Sequence, residues 1–152
     1  MTSTCEYPVR LFADDAAVRR VAAGLLNTSL PRAEWTHEAH LAACLCLLDE
    51  YPAFDADRDL PGAIARYNVA VGGVNDDAHG YHATITHFYI HAVRAHLAEE
   101  GGGSLVARVN RLLSGTRGQR DYPLRFYSRE LLFSVAARRA FVPPDLRPLT
   151  QV

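Results

Sequence analysis

An all-α fold is predicted, a single-domain helical bundle of about five main helices followed by short C-terminal helices and an extended tail. Three observations predict it. Apolar residues recur at helical spacing along most of the chain, and no alternating stretch of convincing strand length appears. Residues with short polar side chains stand just ahead of the apolar runs, where helix N-caps belong. Glycine and proline fall mainly between those runs.

The elements follow in order. Asp14-Asp15 caps a first helix over Ala16 to Leu26. Asn27 to Arg32 connects it to a second, capped by Thr36 and running from His37 to about Glu50, where Tyr51-Pro52 stops it. Leu60-Pro61 opens a third, with Pro61 in the first turn, ending near Gly72-Gly73. Asn75-Asp76-Asp77 caps a long fourth helix reaching Glu100, and the glycines at 101 to 103 end it. Ser104 caps a fifth helix to about Leu113. After an irregular stretch through Tyr122-Pro123, Ser128 and Ser134 cap short helices over Arg129 to Phe133 and Val135 to Phe141. The segments 1–13 and 142–152 are irregular. The triple glycine is a helix terminator rather than a phosphate loop, since no strand precedes it and no Gly-Lys-Ser/Thr follows.

At 152 residues the chain is long enough for one domain with a real core. A net charge of −1 argues against a general nucleic-acid binder. The arginines thicken toward the C-terminus (Arg111, Arg117, Arg120, Arg125, Arg129, Arg138, Arg139 and Arg147), where a solvated face with local ion pairs is the simpler reading and an anionic ligand the alternative. The cysteines Cys5, Cys44 and Cys46 are odd in number and make no disulfide framework. No apolar run approaches a membrane span, and residues 1–6 lack a secretory signal, so a cytoplasmic location is expected.

The histidines carry the most information. All seven lie between residues 37 and 96, in two groups: His37 and His40, then His79, His82, His87, His91 and His96. At 100° per residue, His37 and His40 share the apolar stripe of Leu41, Cys44, Leu45, Leu47 and Leu48, while Glu38, Asp49 and Glu50 fall off it. On the fourth helix, Tyr81, Ile85, Phe88, Tyr89, Ala92 and Val93 form the apolar face, with His82 at its edge beside Thr86. His87 and His91 lie on the opposite side and are expected to face solvent. His96 is about 20 Å along the axis from His82.

The expected site is therefore His37, His40 and His82 around a divalent transition metal (zinc, iron, nickel or copper), with a fourth position open to water or substrate. His79 and Cys44 are reserve ligands. Tyr81 and Thr86 are expected to orient substrate or an imidazole, with Thr84 pointing elsewhere. Arg129, or Arg139, is expected to hold a carboxylate or phosphate. The leading expectation is a metal-dependent enzyme acting on a small-molecule substrate, by water or substrate activation or by dioxygen chemistry. The alternatives are a non-catalytic metal- or ligand-binding helical module, and an interaction domain whose histidines are structural. No nucleic-acid or membrane partner is expected, and a homo-oligomer stays open.

Two segments carry a resemblance: Trp35-Thr36-His37-Glu38-Ala39-His40-Leu41 and Gly80-Tyr81-His82-Ala83-Thr84-Ile85-Thr86. They resemble a family of small bacterial helical proteins that pair an aromatic-x-His-x-x-His-Leu element with a later Tyr-His-x-Thr-x-Thr element. Tyr127-Ser128-Arg129 and Pro144-Asp145-Leu146 are similar to that family as well, so the resemblance spans most of residues 35 to 148. It implies His37, His40 and His82 as the positions of interest, and it implies no activity. Metal sites of three histidines in DinB-like bundles, which include thiol transferases and hydrolases, are similar in architecture only.

Overall fold

In the computed structural model, which describes residues 8–99 and 102–152, the chain is all-helical. Cys5, the N-terminal residues read for a signal, and Glu100 and Gly101 lie outside the described residues. Five substantial helices are α1 (Asp15–Leu26), α2 (His37–Glu50), α3 (Ala56–Ala70), α4 (Ala83–Glu99) and α5 (Leu105–Ser114). Two short ones follow, α6 (Arg129–Leu132) and α7 (Val135–Arg139). Single 3₁₀ turns occupy Arg32–Glu34, Thr116–Gly118, Tyr122–Arg125 and Leu149–Gln151. Among the described residues no helix is long and apolar enough to cross a membrane.

Local capping chemistry places most helix starts. The side chains of Asp14, Thr36, Ser104, Ser128 and Ser134 each accept the backbone N–H three residues on. Two starts differ from the sequence expectation. Helix α3 begins at Ala56, ahead of Pro61, because Asp55 caps it: its carboxylate accepts the Arg58 N–H and its own N–H donates to Asp59. That reciprocal cap secures the first turn, and Pro61 is accommodated inside the helix despite its missing N–H. Helix α4 begins at Ala83 rather than near residue 78. Asp76 folds back onto the N–H groups of Ala78 and His79 and closes a loop instead of capping a helix. Gly80, at φ +79°, then stands in a conformation that a right-handed helix cannot contain.

The core has two parts. The larger is built around α2, on which Ala39, Leu41, Ala42, Ala43, Cys44, Leu45, Cys46 and Leu47 are all buried. Residues from α1, α3, α4 and α5 complete it. The smaller is aromatic: Phe88 and Ala92 of α4 meet Tyr122, Phe126, Tyr127 and Leu132 of the C-terminal segment. Helix α4 thus lies between the two, with Ile90 and Val93 in one and Phe88 and Ala92 in the other.

The C-terminal strap is pinned across α4 by polar groups. Thr84 is fully buried; its hydroxyl donates to the Ala140 carbonyl and accepts the Val142 N–H, both at 3.1 Å. The Tyr127 hydroxyl donates to the Val142 carbonyl at 2.7 Å. The outward-pointing Thr84 expected from the sequence is therefore corrected: it ties the strap down.

Candidate functional site

Trp35, His37 and His40 enter together at the N-terminus of α2. The His37 Nε2–H donates to the Gly118 carbonyl at 2.8 Å. Tyr89, whose ring meets that of His37 edge-on at 5.5 Å, donates its hydroxyl to the next carbonyl, Gln119, at 2.7 Å. Together they fasten α2 and α4 to the turn after α5. Burial pushes the Tyr89 phenol well above its usual range and lowers the His37 imidazole.

His40 is held differently. Its Nδ1–H donates to the Thr36 carbonyl at 2.7 Å, and its ring lies on that of Trp35 with centroids 3.8 Å apart. A carbonyl only accepts, so the ring proton sits on Nδ1 and Nε2 keeps a bare lone pair. Burial drives the His40 pKa down to about 4, so the ring is neutral at physiological pH.

His82 takes a third role. It immediately precedes α4, and its Nδ1 accepts the Ile85 N–H at 3.1 Å, which makes the imidazole a helix cap. Its Nε2–H donates to the Leu132 carbonyl of α6 at 2.8 Å. Both ring nitrogens are engaged, the group is 8% exposed, and burial lowers its pKa. His82 therefore has no lone pair for a metal ion in this arrangement, and the expected His37, His40 and His82 centre does not fit these residues. Nor do any three His, Cys, Asp or Glu side chains among the described residues group as metal ligands.

The remaining histidines sort as follows. His79 is exposed beside Asp76, its Nδ1 at 3.0 Å from that carboxylate. His96 is buried, and its Nε2–H donates to the Arg108 carbonyl at 2.9 Å. His91 is exposed, as expected. His87 is partly buried against Phe141, with Asp57 at 3.4 Å, rather than fully in solvent.

His40 stands in the wall shared by two neighbouring cavities. The outer, about 770 Å³, opens between α3, the loop before α4, and α7; Arg32, Asn68, Tyr81 and Arg138 line it. The inner, about 320 Å³, is mostly apolar, with Leu41, Cys44, Leu60, Ile85 and Tyr89 in its walls. Trp35, His40, Ile64, Ile85 and Thr86 line both. Each volume falls in the size range of small-molecule sites. The Trp35 indole Nε1–H is buried with no hydrogen-bond partner.

Of the other expected site residues, Tyr81 and Thr86 do line the cleft. Burial raises the Tyr81 phenol. Arg129 does not: it is exposed on α6, and Arg139 is paired with Asp77 at 2.6 Å. The guanidinium groups in the cleft wall are those of Arg32 and Arg138; Arg138, one residue before Arg139, donates to the Gly80 carbonyl at 3.0 Å. Cys44 faces the inner cavity, and burial pushes its thiol up to about 12, which leaves it protonated.

Glu38, expected to point off the stripe, is 5% exposed with Oε2 unpartnered. Burial alone would raise its pKa; the α2 N-terminal backbone and Arg120, 3.7 Å away, hold it below the usual carboxylate value. Comparison with known protein families, curated proteins and solved structures finds no match to this chain, so the chemistry of the site rests on its own geometry.

Proposed function

We propose that this protein is a ligand-binding helical module that takes a small organic molecule into the double cavity, with His40 as its polar anchor. The observation that carries this reading is the state of His40. Its proton is fixed on Nδ1 by Thr36, which leaves Nε2 an acceptor on a ring that lines both cavities, the smaller of them mostly apolar. An imidazole with a pKa near 4 is a weak base at neutral pH, which favours accepting a hydrogen bond over abstracting a proton. Trp35 supplies a flat apolar surface beside it. Thr86 and Tyr81 offer hydroxyls at the rim. The engagement of both His82 nitrogens sets this reading above a three-histidine metal enzyme.

Trp35 is the single tryptophan of the chain, so its emission reports on the site alone. In a thermal-shift screen of small organic molecules, a compound of matching shape is expected to change Trp35 emission and raise Tm. At a hundredfold excess over Kd the stabilisation is about 2.7 kcal/mol. His40→Phe keeps an aromatic ring on Trp35 while removing the acceptor, and is expected to abolish the response. Treatment of the wild type with a chelator is expected to leave it intact. A screen without responders, or responders that bind His40→Phe as tightly, would refute the reading, and loss of binding on chelation would restore the metal.

A further inference from the structure

We propose that the occupant is an aromatic carboxylate, its ring in the inner cavity and its carboxylate on Arg32 and Arg138 at the outer mouth; this rests on the cleft being a ligand site. The charge in the outer cavity is one-sided. Two guanidinium groups line it and no carboxylate does. The nearby acids are held by other partners: Glu34, two residues from Arg32, is paired with Arg20, Asp76 accepts from the N–H groups of Ala78 and His79, and Asp77 is held by Arg139 at 2.7 and 2.6 Å, with Arg138 a weaker neighbour.

Neither Arg32 nor Arg138 forms an ion pair among the described residues. The donations of Arg138 Nη1 to the Gly80 and Tyr81 carbonyls orient that guanidinium and leave its other N–H groups for an acceptor. Fixed positive charge in a cleft with apolar walls attracts and orients an anion more strongly than the same charge on an open surface.

The apolar part of the ligand is specified by the inner cavity. Its walls combine the rings of Trp35, His37, His40 and Tyr89 with Leu60, Ile64 and Ile85. Flat aromatic faces receive a planar ring better than a branched chain. A volume of about 320 Å³ accommodates one bicyclic ring. A planar carboxylate, with two acceptors in the plane of the fork, matches a guanidinium in a way that a neutral amide does not.

Calorimetric titration with 2-naphthoate and with its neutral counterpart 2-naphthamide tests the assignment on the full chain. The acid is expected to bind at least roughly tenfold more tightly than the amide, as a charge-assisted hydrogen bond implies. Arg32→Gln and Arg138→Gln are each expected to remove most of that preference. Arg32 is exposed and holds no structural partner among the described residues, so its variant keeps the fold even where Arg138→Gln loosens the loop at Gly80. Equal binding of acid and amide, or acid binding indifferent to Arg32→Gln, overturns the carboxylate and leaves the cleft reading standing if His40→Phe still abolishes binding. Binding of the acid that survives His40→Phe overturns the cleft reading itself, and no binding of either compound overturns the aromatic carboxylate.

Discussion

Phe88→Ala is expected to lower stability by about 4 kcal/mol. Phe88 is fully buried, and its ring centroid lies 5.3 Å from that of Phe126, 5.6 Å from Tyr122 and 6.2 Å from Tyr127. These three rings come from the segment after α5, and Phe88 comes from the middle of α4. Removing the central ring therefore takes away both its transfer free energy and the surface against which the others stack. The neighbours have little room to collapse into the gap, because Tyr127 ties their segment to the strap and Thr84 ties the strap to α4. A domain of this size shifts its Tm by roughly 2–4 °C per kcal/mol, so a fall of about 8–16 °C is expected in calorimetry. The exposed Phe133 serves as the contrast: Phe133→Ala removes the same side chain from the surface and is expected to change stability by less than about 0.5 kcal/mol.

Gly80→Ala is expected to cost roughly 3 kcal/mol and to abolish binding in the cleft together. The residue sits at φ +79°, where a side chain is strained by about 1–2 kcal/mol. A β-carbon there would also overlap the Val74 carbonyl oxygen and lie 2.5 Å from Asn75 Oδ1. The Asn75 oxygen is not free to yield. The Asn75 amide oxygen accepts the Tyr81 N–H and the Asn68 side chain, and its NH₂ donates to the Ala65 carbonyl. The whole loop that walls the outer cavity would shift, carrying with it the carbonyls that orient Arg138. Gly72→Ala isolates the backbone part. Gly72 has φ +88°, but a β-carbon there would meet nothing within 4 Å, so only the backbone strain of about 1 kcal/mol is expected. Equilibrium denaturation of the two variants, compared with each other, reads the difference.

Most of the fold was legible because helix starts are decided locally. Thr36 caps α2 through an N–H three residues away, and the same short reach places Asp14, Ser104, Ser128 and Ser134. Helical phase was a poorer guide. It assumes one buried stripe, but α2 is enclosed on most sides, so Glu38 is buried despite lying off the stripe of Leu41 and Leu45. Phase put His82 at the edge of the apolar face of α4, but that residue precedes the helix. Asn75, Asp76 and Asp77 read as its cap, while the actual cap is an imidazole, a role with no sequence signature of its own.

The burial of Thr84 and the choice of Arg138 over Arg129 or Arg139 both depend on how the C-terminal strap crosses α4, a non-local packing fact. Trp35 was visible only as a flank of the histidine pair. Its place between His40 and Tyr67, 5.2 Å from the latter ring, follows from α3 packing beside the start of α2.

The division of labour among the three histidines is tested most directly by long-range ¹H–¹⁵N spectra of the imidazole nitrogens, followed as a function of pH. His37 and His82 are expected to carry their ring protons on Nε2 and His40 on Nδ1, with His40 remaining neutral until about pH 4. Its ordinary value is 6.5, so as pH falls from there to about 4 the unfolded chain takes up a proton that the folded one refuses. Stability contributed by the neutral ring is complete above that window and is lost across it, by roughly 3 kcal/mol. His37 and His82 are shifted in the same direction and add to the loss. A His40 ring protonated on Nε2, or titrating near 6.5, would contradict the account, as would a His82 ring carrying its proton on Nδ1.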